Sequence, residues 1–158
     1  LAARHGERLE RVVLAHTAAR LGTPDVWQAR ARQAREQGVR SLADATLARW
    51  FTSAFAAREP LVLAAIRDAF AHMDDEGYAS NCEAIGAADL RAEVGAIRAP
   101  TLVLTGRGDP SVAPEHTRML AEGIAGARFV EFEAQHLSNI ERDGDFTRTV
   151  LEFLSGPS

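Results

Sequence analysis

One stretch near residue 100 constrains the fold more than any other part of the chain. Residues 99–110 read Ala-Pro-Thr-Leu-Val-Leu-Thr-Gly-Arg-Gly-Asp-Pro. The segment 101–105 is short, apolar and rich in branched side chains, which is typical of a parallel strand covered on both faces. Gly106 and Gly108 then predict a tight loop that presents Asp109. Because open α/β sheets carry their chemistry at the carboxyl ends of the strands, Asp109 is a candidate functional residue.

A second strand and loop follow the same plan. Residues 128–132 read Arg-Phe-Val-Glu-Phe, and the loop after them contains His136. A carboxylate after one strand and a histidine after the next is the pairing that a Ser-His-Asp hydrolase needs. In that arrangement Asp109 orients the imidazole of His136, which serves as general base and then general acid. The alternative is that Asp109 caps its loop and His136 is an ordinary polar loop residue.

The remaining chain predicts an α/β core interrupted by helices. Residues 12–15 predict a first buried strand, and residues 18–97 show four helix signals and no convincing strand. We therefore predict a core of three parallel strands and flanking helices from residues 1–17 and 98–155, a helical insertion at 18–97, and a tail or start of a linker at 156–158.

Several helix starts and apolar faces can be predicted in more detail. Pro24, Pro60 and Pro114 each indicate the first turn of a helix. The helix after Pro60 has an apolar stripe that we expect to be buried, and the helix after Pro114 is expected to turn three apolar residues inward. The stripe after Pro60 consists of Leu61, Val62, Ala65, Ile66, Ala69, Phe70 and Met73. The three inward residues after Pro114 are Met119, Leu120 and Ile124.

Composition excludes several classes of protein. The chain has 158 residues, 46% of them hydrophobic and 25% charged, with a net charge of −4. This composition is typical of one soluble globular domain. The sequence has neither the basic stripe of a nucleic-acid-binding protein nor the apolar run of about 20 residues that a membrane-spanning helix needs. The lone Cys82 fits a reducing, cytoplasmic compartment, and in a predicted helix it is interpreted as a packing residue. The five histidines have no paired metal-ligand spacing. A Ser-His-Asp mechanism requires no metal and no cofactor, so none is expected.

The nucleophile that Asp109 and His136 would serve is missing. In this type of hydrolase the serine lies in Gly-x-Ser-x-Gly on a sharp turn between a strand and a helix, and it precedes the acid and the base in the chain. No such motif occurs in the sequence, and the serines lie in the wrong context, at positions 41, 53, 80, 111, 138 and 155. The serine is therefore expected upstream of Leu1.

Four segments resemble 3-oxoadipate enol-lactonases, which are α/β-hydrolase-fold enzymes of aromatic-compound degradation by the β-ketoadipate pathway. These segments are residues 11–22, 48–51, 77–85 and 135–141, and the resemblance extends over nearly the whole chain. It implies the C-terminal part of an α/β hydrolase, a helical cap formed by the insertion, and hydrolysis of a small anionic lactone to 3-oxoadipate.

The resemblance also implies roles for particular residues. Asp109 would be the acid and His136 the base of the triad. An anionic substrate calls for a cation and apolar walls, for which Arg20 and the two tryptophans, Trp27 and Trp50, are the candidates. The alternatives are that Arg20 is a solvated loop residue and that Trp27 and Trp50 are core residues of the insertion.

Other readings of the same sequence stay open. The polypeptide could be another α/β hydrolase, such as an esterase, a haloperoxidase-like enzyme or an epoxide hydrolase. It could also be a non-catalytic half-domain that binds a partner chain. The expected partner is the missing N-terminal half of the hydrolase, in the same or a companion polypeptide. Some relatives are fused to a carboxymuconolactone decarboxylase domain, to which residues 156–158 could lead.

Overall fold

The structure, a computed structural model, describes residues 1–156 and divides them into two compact units. One unit contains Leu1–Ala19 and the chain from Leu90 onward, and the other is Arg20–Asp89. The backbone N–H of Leu90 donates to the carbonyl oxygen of Ala19 at 2.8 Å, so the inserted unit leaves and rejoins the first unit at one point. The sequence prediction placed these boundaries at 17/18 and 97/98.

Within these residues the chain forms three strands, eight α-helices and three short 3₁₀ turns. In chain order, the strands and α-helices are β1 (Val12–Ala15), α1 (Pro24–Gln37), α2 (Ala43–Trp50), α3 (Ser53–Arg58), α4 (Pro60–Ala71), α5 (Asp75–Ala87), β2 (Thr101–Gly106), α6 (Pro114–Glu122), β3 (Arg128–Phe132), α7 (Ser138–Glu141) and α8 (Asp143–Ser155). The 3₁₀ turns are Gly6–Arg8, Val39–Leu42 and Val94–Ala96. None of the helices in this described part is long and apolar enough to cross a membrane.

The three strands form one parallel sheet in the order β1-β2-β3, which confirms the predicted α/β class. Leu14 of β1 lies beside Val103 of β2, which lies beside Phe129 of β3. Every residue of β2 is buried, as expected for a central strand. The prediction that β1 is buried was wrong: its residues are half-buried and Ala15 is exposed, because β1 lies at an edge of the described sheet.

Apolar clusters cover both faces of this sheet. One cluster joins Leu102 and Leu104 to Phe132, with the apolar face of α8 packed against it. The other contains Val94, Ile97, Leu120 and Ile124, with Leu14 packed against it. Residues 94–97, which the sequence prediction assigned to the insertion, therefore belong to the core of the first unit. The prediction that Met119 points inward was wrong, since 66% of its surface is exposed.

The inserted unit has a core of its own. This core is a cluster of eight buried residues, Ala31, Ala34, Val39, Leu42, Ala43, Phe70, Ala79 and Cys82. Burial raises the pKa of the Cys82 thiol, which fits a packing role. The expected burial of the α4 stripe was largely wrong: Phe70 is buried, but Leu61 is 84% exposed and Val62 and Met73 are also exposed.

The predicted tail lies mostly outside the described residues. Of residues 156–158, the structure describes Gly156, whose carbonyl oxygen accepts a hydrogen bond from the Arg11 guanidinium at 2.7 Å.

Candidate active site

Asp109 is the centre of the candidate site. It lies three residues beyond β2, and its carboxylate is fully buried. One oxygen, Oδ1, accepts the backbone N–H groups of Ser111 at 2.7 Å and Val112 at 3.0 Å. These two bonds form the turn after β2 and hold the carboxylate plane in place. The second oxygen, Oδ2, faces the loop that follows β3.

The imidazole of His136 meets that second oxygen. Its Nδ1 lies 2.8 Å from Asp109 Oδ2, and about a fifth of the side chain is exposed. A carboxylate accepts hydrogen bonds and cannot donate them, so Nδ1 carries the shared proton and Nε2 is the basic nitrogen of the neutral ring. The structure thus brings the predicted acid and base together, at the carboxyl ends of neighbouring strands.

A close backbone contact sets the distance between these two loops. The N–H of Arg107 donates to the carbonyl of Phe132 at 2.8 Å, and the N–H of Gly108 donates to that of Ala134 at 3.1 Å. A Cβ on Gly106 would come within 2.3 Å of the carbonyl oxygen of Gln135. Only glycine therefore allows β2 and the histidine loop to approach this closely.

Glu141 supports the histidine loop from the other side. It lies at the end of α7 and is buried, and its carboxylate accepts the backbone N–H of Gln135 at 3.1 Å. Since Gln135 precedes His136, this bond fixes the backbone from which the imidazole projects. The sequence prediction did not include Glu141 or α7, because a helix of one turn shows no apolar periodicity.

A second histidine, His16, also reaches the carboxylate. It follows β1 directly, and its Nδ1 lies 3.1 Å from Asp109 Oδ2. Its Nε2 lies 2.6 Å from the hydroxyl of Ser138, which is fully buried. The rings of His16 and His136 pack edge to face, with centroids 5.4 Å apart.

The sequence contains one local signal for His16. Like Asp109 and His136, it is a polar residue just past the carboxyl end of a strand. Its backbone has a φ of +50°, an uncommon value for a residue other than glycine. No local pattern marks Ser138, whose contact with His16 joins residues 122 positions apart.

These contacts keep Asp109 ionised. Burial by itself raises the pKa of a carboxyl group, because it disfavours the charged form. Here the hydrogen bonds from His136, His16 and the backbone N–H of Val112 outweigh burial and hold the pKa of Asp109 well below its usual range. The site therefore contains a carboxylate that is ionised at neutral pH, beside two imidazoles.

The same three side chains could in principle hold a metal ion. Ligand atoms of His16, Asp109 and His136 lie within 4.8 Å of one another. However, both Nδ1 atoms are already at hydrogen-bond distance from one carboxylate oxygen. A metal ion binds an imidazole nitrogen through its lone pair. In neutral rings each of these Nδ1 atoms instead carries the proton that it donates to Asp109. The geometry therefore favours a hydrogen-bonded acid–base group.

The predicted substrate residues all lie in the inserted unit. Arg20 forms an exposed ion pair with Asp89, with 3.7 Å between Nη1 and Oδ2. The indole N–H of Trp27 donates to the carbonyl of Leu21 at 2.6 Å. Trp50 packs edge to face on Phe70, and both tryptophans contact the core of this unit. The contacts of the two tryptophans are those of core residues. The substrate roles of Arg20, Trp27 and Trp50 stay predictions.

Comparison with known proteins identifies relatives over nearly the whole chain, although no protein-family model matches it. 3-Oxoadipate enol-lactonase 2 of Acinetobacter baylyi is 37% identical over 95% of this chain and 56% of its own length. The structure of the enol-lactonase from Burkholderia xenovorans LB400 is 58% identical and superposes with a TM-score of 0.96, over 99% of this chain and 60% of that one.

A hydrolase from Pseudomonas aeruginosa superposes almost as well, with a TM-score of 0.93 at 36% identity, over 99% of this chain and 59% of that one. The chain spans a little over half the length of the 3-oxoadipate enol-lactonases 1 and 2 of Acinetobacter baylyi. It is a homologue of the 3-oxoadipate enol-lactonases and forms part of an α/β-hydrolase fold.

Proposed function

We propose that the polypeptide that carries this chain hydrolyses a small carboxylic ester or lactone, with 3-oxoadipate enol-lactone as the expected substrate. The observation that carries the proposal is the 2.8 Å contact between His136 Nδ1 and the buried carboxylate of Asp109. The names of the relatives at 37% and 58% identity support the choice of substrate.

In the proposed mechanism, Nε2 of His136 accepts the proton of a serine hydroxyl as the oxygen attacks the lactone carbonyl. Asp109 stabilises the imidazolium that forms and keeps Nε2 directed at the reacting atoms. His136 then returns the proton to the ring oxygen as the lactone C–O bond breaks, which leaves an acyl-enzyme whose enol group tautomerises to the ketone. Water, activated by His136, hydrolyses the acyl-enzyme and gives 3-oxoadipate.

The nucleophile is proposed to come from sequence outside these 158 residues, in the same or a companion polypeptide. Ser138 is unsuited to the role, because its hydroxyl is fully buried and engaged with His16. The donors that stabilise the oxyanion are proposed to come from the same additional segment.

We further propose that Arg20 binds the carboxylate of the substrate, with Trp27 and Trp50 as apolar walls. Arg20 is more than a third exposed, and its ion pair with Asp89 spans 3.7 Å. An exposed pair of this kind is worth only about 0–1 kcal/mol, so the guanidinium can exchange Asp89 for a substrate anion at little cost.

A substrate panel tests the proposal. The intact mass of the polypeptide that contains this chain is first compared with the 17.1 kDa of the chain itself. The polypeptide is then assayed with 3-oxoadipate enol-lactone, p-nitrophenyl acetate and styrene oxide. We expect the highest kcat/KM for the enol-lactone, covalent labelling of one serine by a fluorophosphonate, and no turnover by residues 1–158 alone.

Two results would contradict it in different ways. Opening of the epoxide without turnover of the enol-lactone would assign the protein to another reaction class of the fold. A polypeptide that is neither labelled nor active on any of the three substrates would indicate a non-catalytic half-domain.

A further inference from the structure

The site contains one interaction that the proposed mechanism does not use. His16 and His136 both direct Nδ1 at the same oxygen of Asp109, at 3.1 and 2.8 Å. The mechanism accounts for His136 alone. His16 is buried, and its second nitrogen is engaged with Ser138, so substrate has no access to the base that it could provide.

We propose that His16 is a positioning residue, which donates a second hydrogen bond to Asp109 Oδ2 and is itself oriented by the hydroxyl of Ser138. This inference rests on the proposed function, because the carboxylate that His16 holds is the one assigned to orient His136. It goes beyond that function by assigning a role to two further residues.

The hydrogen-bond chemistry supports this assignment in three steps. Asp109 Oδ2 can only accept, so a neutral His16 must carry its proton on Nδ1. Nε2 of that ring is then an acceptor, and the one proton of the Ser138 hydroxyl satisfies it at 2.6 Å. The chain Ser138 to His16 to Asp109 therefore has a single direction of donation, which leaves no alternative tautomer for the neutral ring.

The result is a carboxylate with two donors on each oxygen. Oδ1 accepts from the backbone N–H groups of Ser111 and Val112, and Oδ2 accepts from the two imidazoles. The backbone donors come from the loop after β2, whereas His16 lies directly after the neighbouring strand β1. Without His16, Oδ2 would accept from His136 alone, and three donors instead of four would orient the carboxylate.

Two substitutions at residue 16 separate the two contacts of the ring. In asparagine the amide nitrogen occupies the place of Nδ1, so His16→Asn keeps a donor toward Asp109 and loses the contact with Ser138. In glutamine the amide group reaches the place of Nε2, so His16→Gln keeps the contact with Ser138 and loses the donor. Asparagine also tolerates the observed φ of +50°.

The experiment compares these variants in the polypeptide that carries the chain. We expect kcat on the enol-lactone to fall roughly ten- to a hundredfold in His16→Gln, with KM little changed, and to stay within about threefold of wild type in His16→Asn. Unfolding midpoints are measured for both, and rates are compared at a temperature at which both are folded. Equal losses of kcat in the two variants would overturn the proposal.

A second measurement does not depend on turnover. In the wild-type protein, two-bond ¹H–¹⁵N spectra should show both His16 and His136 with the proton on Nδ1, and Asp109→Asn should shift both signals. If His16 carries its proton on Nε2, the positioning role is wrong whatever the activity. If both spectra behave as expected but no ester or lactone is hydrolysed, the proposed function fails while the role of His16 in holding Asp109 stands.

Discussion

The Cα atom of Gly106 and the carbonyl oxygen of Gln135 lie so close that a Cβ on Gly106 would approach this oxygen to 2.3 Å. The carbonyl oxygen of Ala134 would lie 2.5 Å from the same Cβ. Two stretches of backbone thus meet without an intervening side chain, and each leads within three residues to a member of the acid–base pair. The 2.8 Å separation of Asp109 and His136 depends on this contact.

We expect Gly106→Ala to damage both stability and activity. The added methyl group would have to displace backbone, which costs roughly 3 kcal/mol in a closely packed site. Displacement of the histidine loop would also lower kcat. Gly144→Ala in α8 is a matched control, because a Cβ there meets no atom within 4 Å. Urea unfolding and steady-state kinetics check this prediction, and a Gly106→Ala protein that matches wild type in both would contradict it.

Asp109→Asn should abolish most of the proposed activity of the polypeptide that contains this chain. An asparagine amide favours the wrong tautomer of His136 and provides no charge to stabilise the imidazolium, and the expected loss of kcat is about 10⁴-fold. Asp145→Asn, which changes a half-buried aspartate of α8 paired with Arg142 and Arg148, serves as the control. Near-normal turnover by Asp109→Asn would remove Asp109 from the mechanism.

Asp109 should also make the fold sensitive to acid. Aspartate in an unfolded chain titrates near pH 3.9, whereas the pKa of Asp109 in the folded state is lower. The unfolded state therefore binds more protons, so the stabilisation is fully present above about pH 5 and is lost as the pH falls from there toward the folded pKa.

Urea unfolding at constant ionic strength tests this dependence. The difference in free energy of unfolding between wild type and Asp109→Asn should shrink as the pH falls from about 5 to about 2. The corresponding difference for Asp145→Asn should change less, because solvent screens its partly exposed ion pairs. A wild-type advantage over Asp109→Asn that is constant across this range would show that the charge of Asp109 does not stabilise the fold.

Glu141 should affect the rate through the backbone before His136. Glu141→Ala leaves the N–H of Gln135 without its acceptor, which costs about 1–3 kcal/mol when the group stays buried. We expect kcat to fall roughly tenfold or more, because small displacements of a catalytic group are costly. Glu141→Gln keeps an acceptor oxygen and should lie closer to wild type. Kinetics that rank the two variants in the opposite order would argue against this supporting role.

Much of the fold could be predicted because its signals are local. Pro24, Pro60 and Pro114 begin α1, α4 and α6 as expected, since proline fits the first turn of a helix and little else in a helix. The strands β2 and β3 also lie where their branched and aromatic residues indicated. The short helices α3 and α7 were missed, because fewer than two turns give no measurable periodicity.

The errors in burial have a different cause. Periodicity shows which residues share a helix face, but not whether another element covers that face. Leu61 and Met119 both fit an apolar stripe, yet they are 84% and 66% exposed. The positions of Asp109 and His136 after strands are local signals, whereas the contact of His16 with Ser138 joins two segments that lie 122 positions apart and has no local signal.

The hydrogen bond between Leu90 and Ala19 has a consequence for how such a protein can change over evolution. Because the two ends of the 70-residue insertion, Arg20–Asp89, are joined to residues already in contact, the inserted unit can be exchanged for another without stretching the sheet. The acid, the base and His16 all remain on the unit that is left behind. Exchange of the insertion at this junction would therefore leave the hydrogen bonds among these three residues in place.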